Sequence, residues 1–158
     1  MFRKVFFMKN KNIGIAIRLT RDPKTILDIH YGKELIKGKV AFSTSLKFDK
    51  REIADIEEIL FFFKEDNKKT YVMANVLQME SKKEAFIPEK WEEWIPEEYL
   101  EAKNTWFLIN GLRVVKEEEL EKYVYAKNNN IKLIEVLKQA RFPRTYFRRK
   151  IVDIPSLF

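Results

Sequence analysis

The stretch that decides the fold is ILFFFKEDNKKTYVMANVLQM, residues 59–79. Its first five residues, 59–63, are all apolar, as in a strand that is buried on both faces. Residues 70–79, TYVMANVLQM, carry the β-branched and aromatic side chains that are typical of a second strand. Because the intervening residues 64–69, KEDNKK, form a polar turn, we predict an antiparallel β-hairpin.

Further strands are predicted on both sides of this hairpin. Residues 13–19 alternate apolar side chains with small or polar ones, and residues 39–48 do the same. Residues 105–115, TWFLINGLRVV, are strand-like, with a kink or turn indicated at Asn110-Gly111. Residues 2–8, FRKVFFM, are a candidate strand near the N-terminus.

The segment between residues 19 and 39 is ambiguous. Pro23 favours an extended conformation for the residue before it, Asp22. Gly32 and Gly38 are predicted to bracket a turn.

The predicted fold class is α+β. Five or six strands, with a helix over 131–141 and a one-turn helix over 97–102, favour a small, curved, mostly antiparallel β-barrel with flanking helices. The chain has no internal repeat and no low-complexity linker, which predicts a single domain, 1–158. Its core is expected over about 13–148, with a basic and aromatic C-terminal tail, 142–158.

Composition excludes several kinds of site. The chain has no cysteine and a single histidine, His30, which excludes disulfides, thiolate metal sites and histidine-rich zinc sites. His30 itself is interpreted as a hydrogen-bonded structural residue rather than a general base. The apolar run at the N-terminus is too short for a signal sequence or a membrane span, so we expect a cytoplasmic protein with no membrane partner.

The net charge of +7 is unevenly distributed along the chain. Residues 1–24 hold seven Lys or Arg and one Asp, and residues 132–150 hold seven Lys or Arg and one Glu. Residues 80–101 instead hold eight acidic and three basic residues. Two basic ends that meet in the fold would form a patch facing phosphates, and solvated surface is the alternative.

No catalytic pattern is recognisable. The four glycines do not form a phosphate-binding loop, and there is no Gly-x-Ser-x-Gly elbow and no cysteine nucleophile. Adjacent glutamates such as Glu92-Glu93 are interpreted as solvated carboxylates, because neighbours on a helix point apart. The sequence therefore predicts a protein that is not an enzyme and that needs no metal and no cofactor.

The chain does hold the parts needed to bind a single-stranded or flipped base: rings that stack, polar groups for the base edge and cations for phosphates. All three tryptophans lie within EKWEEWIPEEYLEAKNTWF, residues 89–107. The base-binding candidates are Trp91, Trp94, Trp106, Ser43, Ser45 and Asn104. The phosphate-binding candidates are Arg141, Arg144, Arg148, Arg149 and Lys150.

Packing is the competing interpretation of these aromatic residues. Trp106 begins the apolar run 106–109, which fits a core residue equally well. Trp91 and Trp94 are three residues apart in acidic surroundings and would cover one end of the sheet. The aromatic residues of FPRTYF, 142–147, would anchor the C-terminus by packing.

The order of these segments resembles the EVE and YTH-like branch of the PUA superfamily. The resemblance covers about residues 32–148. It rests on GKVAFSTS (38–45), EILFFF and TYVMANVLQM across a turn, the tryptophan-bearing loop, NTWFLINGLRVV (104–115) and IKLIEVLKQARFPRTYF (131–147). The pattern is similar to free-standing EVE proteins and to the N-terminal target-recognition domains of McrB-type modification-dependent restriction systems.

This resemblance implies a curved β-barrel and a pocket, often aromatic, that accepts a modified base, in DNA for the restriction branch and in RNA for the YTH branch. By position, Phe42, Ser43 and Ser45 would wall the pocket, and the loop with Trp91 and Trp94 would form its lid. The chain lacks the Trp-Cys-Ser/Thr motif of YTH domains, so a methyladenine cage is not implied. If the chain is such a restriction domain, its motor is either missing from this sequence or supplied by another polypeptide.

We therefore expect a non-catalytic nucleic-acid-binding module that recognises a modified or flipped base, in DNA as part of a restriction or defence system. An RNA-binding reader of the same kind is one alternative. A protein-interaction domain that docks through the apolar C-terminal strip, 142–158, is a second. A small metal-dependent enzyme that uses glutamate pairs is a third.

Overall fold

A computed structural model of the chain describes residues 13–53, 55–139 and 143–150. Its strands are β1 (Gly14–Arg18), β2 (Val40–Thr44), β3 (Glu58–Glu65), β4 (Lys68–Phe86), β5 (Lys103–Val115), β6 (Tyr123–Tyr125), β7 (Asn128–Lys132) and β8 (Arg144–Arg149). Its helices are α1 (Pro23–Lys37), α2 (Lys50–Ile53) and α3 (Leu133–Gln139), with 3₁₀ helices over Glu89–Trp94, Glu97–Tyr99 and Glu117–Leu120. The predicted strand 2–8 lies outside the described residues.

The predicted hairpin is confirmed and lies at the centre of the sheet. β3 and β4 pair antiparallel over the whole length of β3. Asp66 and Asn67 join them with positive φ angles of 51° and 63°, the turn geometry that matches the twist of the two strands. The first six residues of β3 are all buried, as expected for a strand covered on both faces.

The α+β class is confirmed, and its main element is one eight-stranded sheet. The strand order is β2-β5-β4-β3-β1-β8-β6-β7. Only β1 and β3 pair in parallel, and the other neighbours pair antiparallel. In the described part of the chain β2 and β7 are the two edges and do not pair with each other, so the sheet is not closed into a barrel.

The Asn110-Gly111 signal marks a kink within a strand rather than a turn. β5 continues past it to Val115, and Gly111 adopts a φ of 68°. The pairing of β4 with β5 shifts register between Met73 and Asn75, next to this glycine. A β-bulge of this kind bends the sheet without ending the strand.

The ambiguous segment between β1 and β2 forms α1, which corrects two expectations. Asp22 is not extended but left-handed, with φ 43° and ψ 50°, a conformation that a short polar side chain tolerates. Pro23 begins the helix, because the first helical position needs no N–H group. Gly32 lies inside the helix, and only Gly38 ends it, with a φ of 83°.

The described part of the predicted C-terminal tail is a central strand. β8 lies between β1 and β6 and pairs antiparallel with both. Thr145 and Phe147 are buried, and Arg148 is buried beside them. The arginines concealed this strand in the sequence, since Arg144, Arg148 and Arg149 surround the buried Thr145 and Phe147.

The two faces of the sheet carry separate apolar clusters. On one face Phe61 and Phe107 pack with Leu27 of α1. On the other face Leu60 packs with Leu137 of α3. Because consecutive residues of β3 belong to opposite clusters, each helix covers one face of the sheet.

Candidate functional site

The candidate site is a cavity of about 360 Å³ beside α1, where β1 and β2 end. Its walls come from the β1–α1 connection, the first half of α1, β2 with the residues that follow it, the 3₁₀ helix Glu97–Tyr99 and the start of β5. The lining residues therefore come from three separate stretches of the chain, 17–30, 42–46 and 99–103, and from Pro143. The volume lies in the range of small-molecule and cofactor pockets.

Three rings form one side of the cavity. The His30 ring lies 5.1 Å from the Tyr99 ring with an angle of 34° between their planes. It lies 5.5 Å from the Phe42 ring in an edge-on arrangement at 61°. Phe42 and His30 are buried and Tyr99 is half-buried, so Tyr99 is the ring that solvent reaches.

A single hydrogen bond of the His30 ring fixes its tautomer. Nδ1 lies 2.7 Å from the carbonyl oxygen of Ile26, one turn earlier in α1. Since a carbonyl oxygen only accepts, Nδ1 carries the proton and Nε2 presents a lone pair. Among the described residues, His30 Nε2 is the single buried side-chain nitrogen or oxygen that has no hydrogen-bond partner.

Burial determines the charge state of this ring. His30 is 3% exposed, and desolvation lowers its pKa below the ordinary value of 6.5. The bond to Ile26 and the carboxylate of Glu98 oppose this change but are weaker. Burial also raises the pKa of the Tyr99 hydroxyl, assisted by Glu98 and Asp22. The neutral forms of both rings are therefore favoured at neutral pH.

The lowered pKa of His30 predicts a pH-dependent stability. The unfolded chain binds a proton here near pH 6.5, whereas the folded protein binds it only at lower pH. The stabilisation is therefore complete above about pH 6.5 and is lost as the pH falls from there through the lowered folded pKa. We expect urea unfolding at about pH 5.5 and about pH 7.5 to give a larger drop for the wild type than for His30→Gln. Because His30 is the only histidine, equal drops in the two proteins would contradict this assignment.

Two serine hydroxyls also line the cavity. Ser43 and Ser45 both line it, and neither hydroxyl makes a hydrogen bond within the described part of the chain. Thr44, between them, accepts a bond of 3.2 Å from the backbone N–H of Leu46. The two serine hydroxyls are thus available as donors or acceptors to a bound molecule.

The rim of the cavity is mainly cationic. Arg18, Arg21 and Lys103 line it together with a single carboxylate, Glu101. Lys103 pairs with Glu101 at 3.3 Å. The guanidinium of Arg18 lies over the Phe62 ring, 5.4 Å from its centre. Neither Arg18 nor Arg21 forms a salt bridge to a described residue. Phe62 and Phe42 belong to clusters on opposite faces of the sheet, so the Arg18 guanidinium lies on the other face from the Phe42 ring, and Arg21 is the cation left available at the cavity.

None of the three tryptophans lines this cavity. Trp106 is fully buried, and its Nε1 donates to the Phe86 carbonyl at 2.8 Å, which assigns it to the core. Trp91 is 5% exposed and belongs to the same apolar cluster. Trp94 is half-buried, and Lys39 Nζ lies 4.2 Å from the centre of its ring. The predicted lid of Trp91 and Trp94 thus packs elsewhere, and Tyr99 of the same segment lines the opening.

The other predicted base-binding residues divide into two groups. Phe42, Ser43 and Ser45 line the cavity. Asn104 does not, because its Nδ2 donates to the carbonyl oxygens of Lys82 and Lys83 at 3.3 and 2.9 Å. Asn104 therefore ties β5 to the end of β4.

The predicted phosphate-binding residues do not form one patch. Arg144 donates to the Lys47 carbonyl at 2.6 Å and lies 3.6 Å from Glu52, near the cavity end of β8. Arg148 is 5% exposed and donates to Ala126 and Asn129, so it belongs to the interior.

Arg149 and Lys150 lie at the other end of β8. They are exposed, and Arg149 is 3.8 Å from Glu58. Arg149 lies five positions after Arg144 in the strand, so their Cα atoms are roughly 17 Å apart. Arg141 and the basic residues among 1–12 lie outside the described residues.

The sequence predicted Phe42 and the two serines of the site but not its histidine, its tyrosine or its cations. His30 was interpreted as structural, and its Nδ1 does have a structural bond, but its Nε2 faces no partner. Tyr99, Arg18, Arg21 and Lys103 were not singled out. The available signals were the uniqueness of His30 in the chain and the placement of Tyr99 just after Pro96.

Comparison with protein-family models, with curated proteins and with solved structures returned no match to this chain. Within the described ranges no helix has the length and hydropathy needed to cross a membrane. Across those same residues no group of three or more His, Asp or Glu side chains is placed to hold a metal ion.

Proposed function

We propose that the protein is a non-catalytic nucleic-acid-binding module that holds an extruded base in the cavity between Tyr99 and β2. The observation that carries this proposal is the convergence of three rings, two hydroxyls without hydrogen bonds and a histidine with one unpartnered nitrogen around a single cavity. Base recognition outside a duplex uses these same parts, an aromatic face for stacking and hydrogen-bonding groups for the base edge.

The cations at the rim support the same proposal. Arg21 and Lys103 line the cavity, where they would contact the backbone of a strand that has one of its bases bound there. Arg144, at the cavity end of β8, extends the same positive surface. Phosphate contacts position a nucleic acid without reading its sequence, so binding should depend strongly on salt.

The resemblance to EVE and YTH-like domains supports DNA as the polymer, with an RNA reader as the alternative. Phe42, Ser43 and Ser45 line the cavity as that resemblance implied, which supports the placement of the pocket. A curved sheet of the PUA type, recognition of a modified base, a cytoplasmic location and a motor or nuclease partner belong to the same proposal.

The test is a titration of short oligonucleotides, methylated and unmodified, single- and double-stranded, at about 50 and about 200 mM salt. We expect salt-sensitive binding that is tighter for single strands or for strands with an unpaired base. Tyr99→Ala should weaken binding about ten-fold or more, because one stacked base contributes about 1–3 kcal/mol. Arg21→Gln should weaken all sequences alike and reduce the salt slope by about 0.7 for single strands.

Two matched variants serve as controls. Tyr31→Ala removes a tyrosine that is 45% exposed and lies outside the cavity. Arg113→Gln removes an exposed arginine of β5 that is also outside it. Equal losses in Tyr99→Ala and Tyr31→Ala, or no binding by the wild type, would contradict the proposal.

A second candidate function, docking of a protein partner, is favoured by a different surface. Tyr31, Leu35 and Ile36 on α1 are exposed, and so is Val114 on β5. Exposed apolar side chains that form a contiguous patch often mark protein interfaces. This function would give no salt-dependent affinity for oligonucleotides, so the same titration separates the two.

A further inference from the structure

The unpartnered Nε2 of His30 is the most specific chemical feature of the cavity. The side chain is 97% buried, since its exposure is 3%, yet one of its two nitrogens has no partner among the described residues. A buried polar atom that is left without a hydrogen bond is destabilising, because it has lost its contacts with water and gained none in the protein. His30 lines the cavity, and its Nε2 has no contact with solvent in this structure, so a bound molecule that displaces a neighbouring side chain would supply the missing partner.

The missing partner must be a donor. Nδ1 carries the ring proton because it donates to the Ile26 carbonyl, so Nε2 can only accept. The serine hydroxyls that line the cavity accept or donate and impose no such choice. His30 is therefore the group that discriminates between donors and acceptors on a ligand.

The shape of the cavity indicates what carries that donor. Tyr99 lies close to His30 with its plane tilted by 34°, and Phe42 packs edge-on against the imidazole at 5.5 Å. A flat heterocycle that stacks on the accessible face of the half-buried Tyr99 would lie beside the residues that line the cavity, His30 and the serines among them. On a nucleobase, the donors at that edge are N–H groups.

We infer that His30 Nε2 accepts a hydrogen bond from an N–H group on the buried edge of the bound base. This inference rests on the proposed function and adds its specificity: the site takes nitrogen heterocycles that retain an N–H there and rejects those in which it is absent or alkylated. His30 is then a specificity-determining residue, and the two serines complete the contacts to the base edge.

The experiment uses single strands in which one nucleotide bears a base and its neighbours are abasic, so that only the test base can enter the cavity. The matched pairs are adenine against unsubstituted purine, and thymine against N3-methylthymine. The wild type should bind the member with the N–H about 10- to 100-fold more tightly, as expected for one buried acceptor left unpaired. Purine is smaller than adenine, so poor binding of purine has no steric explanation.

Two variants separate recognition from a structural role. His30→Phe keeps a ring but removes the acceptor, and it should reduce both ratios to about one. His30→Gln can present its Oε1 as an acceptor and should restore part of the preference. Far-UV circular dichroism establishes that each variant is folded. A purely structural role would lower the affinity for both members of a pair and leave their ratio unchanged.

Acidification is an independent readout. Protonated His30 has an N–H at Nε2 and repels the donor, so the preference for thymine over N3-methylthymine should decline as the pH falls through the folded-state pKa of His30, which lies below 6.5. It should not decline in His30→Gln. The charged or titratable groups around the ring are Arg18, Arg21, Glu98, Tyr99, Glu101 and Lys103.

The outcomes distinguish this inference from the proposed function. Binding of the base-bearing strands with ratios near one in the wild type would overturn the inference alone. The absence of any binding above the level of a fully abasic strand would overturn the proposed function, and the inference with it. Ratios that persist in His30→Phe would also overturn the inference, because another group would then provide the acceptor.

Discussion

Replacement of Gly14 by alanine is expected to destabilise the protein by about 3 kcal/mol, at the upper end of the usual cost of overpacking a core. Gly14 lies opposite Phe147 in the pairing of β1 with β8. A Cβ at Gly14 would overlap Cζ and Cε2 of the Phe147 ring. That ring is fully buried and packs edge-on against Tyr123 at 5.0 Å, so it has no space into which to move. Urea unfolding monitored by circular dichroism gives the change in free energy.

A matched control and a rescue define this prediction. Gly32→Ala in α1 meets no atom within 4 Å and should stabilise the protein by about 0.5–1 kcal/mol, the usual gain in a helix interior. Phe147→Leu is destabilising alone but provides space, so Gly14→Ala should cost less in that background. Equal costs of Gly14→Ala in both backgrounds would show that the ring does not exclude the methyl group.

The centre of the fold was predictable because its signals are local. The run 59–63 is apolar throughout, and Asp66-Asn67 provides two residues that tolerate positive φ. Burial of every position in the strand and closure of the turn both depend on residues within a span of about twenty positions. Such features can be inferred without knowledge of the remaining chain.

β8 was missed because its evidence is distant. Its neighbour β1 is more than a hundred residues earlier in the chain, and its burial arises only when the sheet is assembled. Arg148 is tolerated inside because Ala126 and Asn129 accept its hydrogen bonds. Without that information, RTYFRRK resembles a solvated basic tail. α1 was ambiguous for a related reason, since Leu35 and Ile36 are exposed and blur its periodicity.

The candidate site could be predicted only in part. Phe42 and Ser43 lie on β2 and Ser45 directly follows it, and all three were identified from this segment and the resemblance. His30 comes from the preceding helix and Tyr99 from a 3₁₀ helix more than fifty residues after β2. Their proximity is tertiary, and the free Nε2 depends on which nitrogen bonds Ile26. No pattern in one sequence encodes that choice.

The acidic tryptophan segment illustrates how the same residues supported two interpretations. Its aromatic content fitted a base-stacking lid, and it also fitted a cover for the sheet. The ring of Trp106 packs with Trp91 and Ile95 on the face of the sheet opposite Phe107. Trp106 and Phe107, which are adjacent in β5, thus belong to different clusters. The tryptophans contribute to the apolar cluster and do not line the cavity.

Trp106→Ala is therefore expected to cost about 3–5 kcal/mol of unfolding free energy, which is much of the stability of an ordinary domain. The substitution removes a fully buried indole and leaves the Phe86 carbonyl without its donor at 2.8 Å. Trp106→Phe should cost less, since most of the apolar volume remains and only the hydrogen bond is lost. Trp94→Ala is the matched control, because that ring is only half-buried and should cost less than Trp106→Ala. Urea unfolding of the three variants measures these differences, and oligonucleotide titration is done in parallel. A Trp106→Ala protein with wild-type stability and no affinity for single strands would contradict the core assignment and identify the indole as a ligand-binding group.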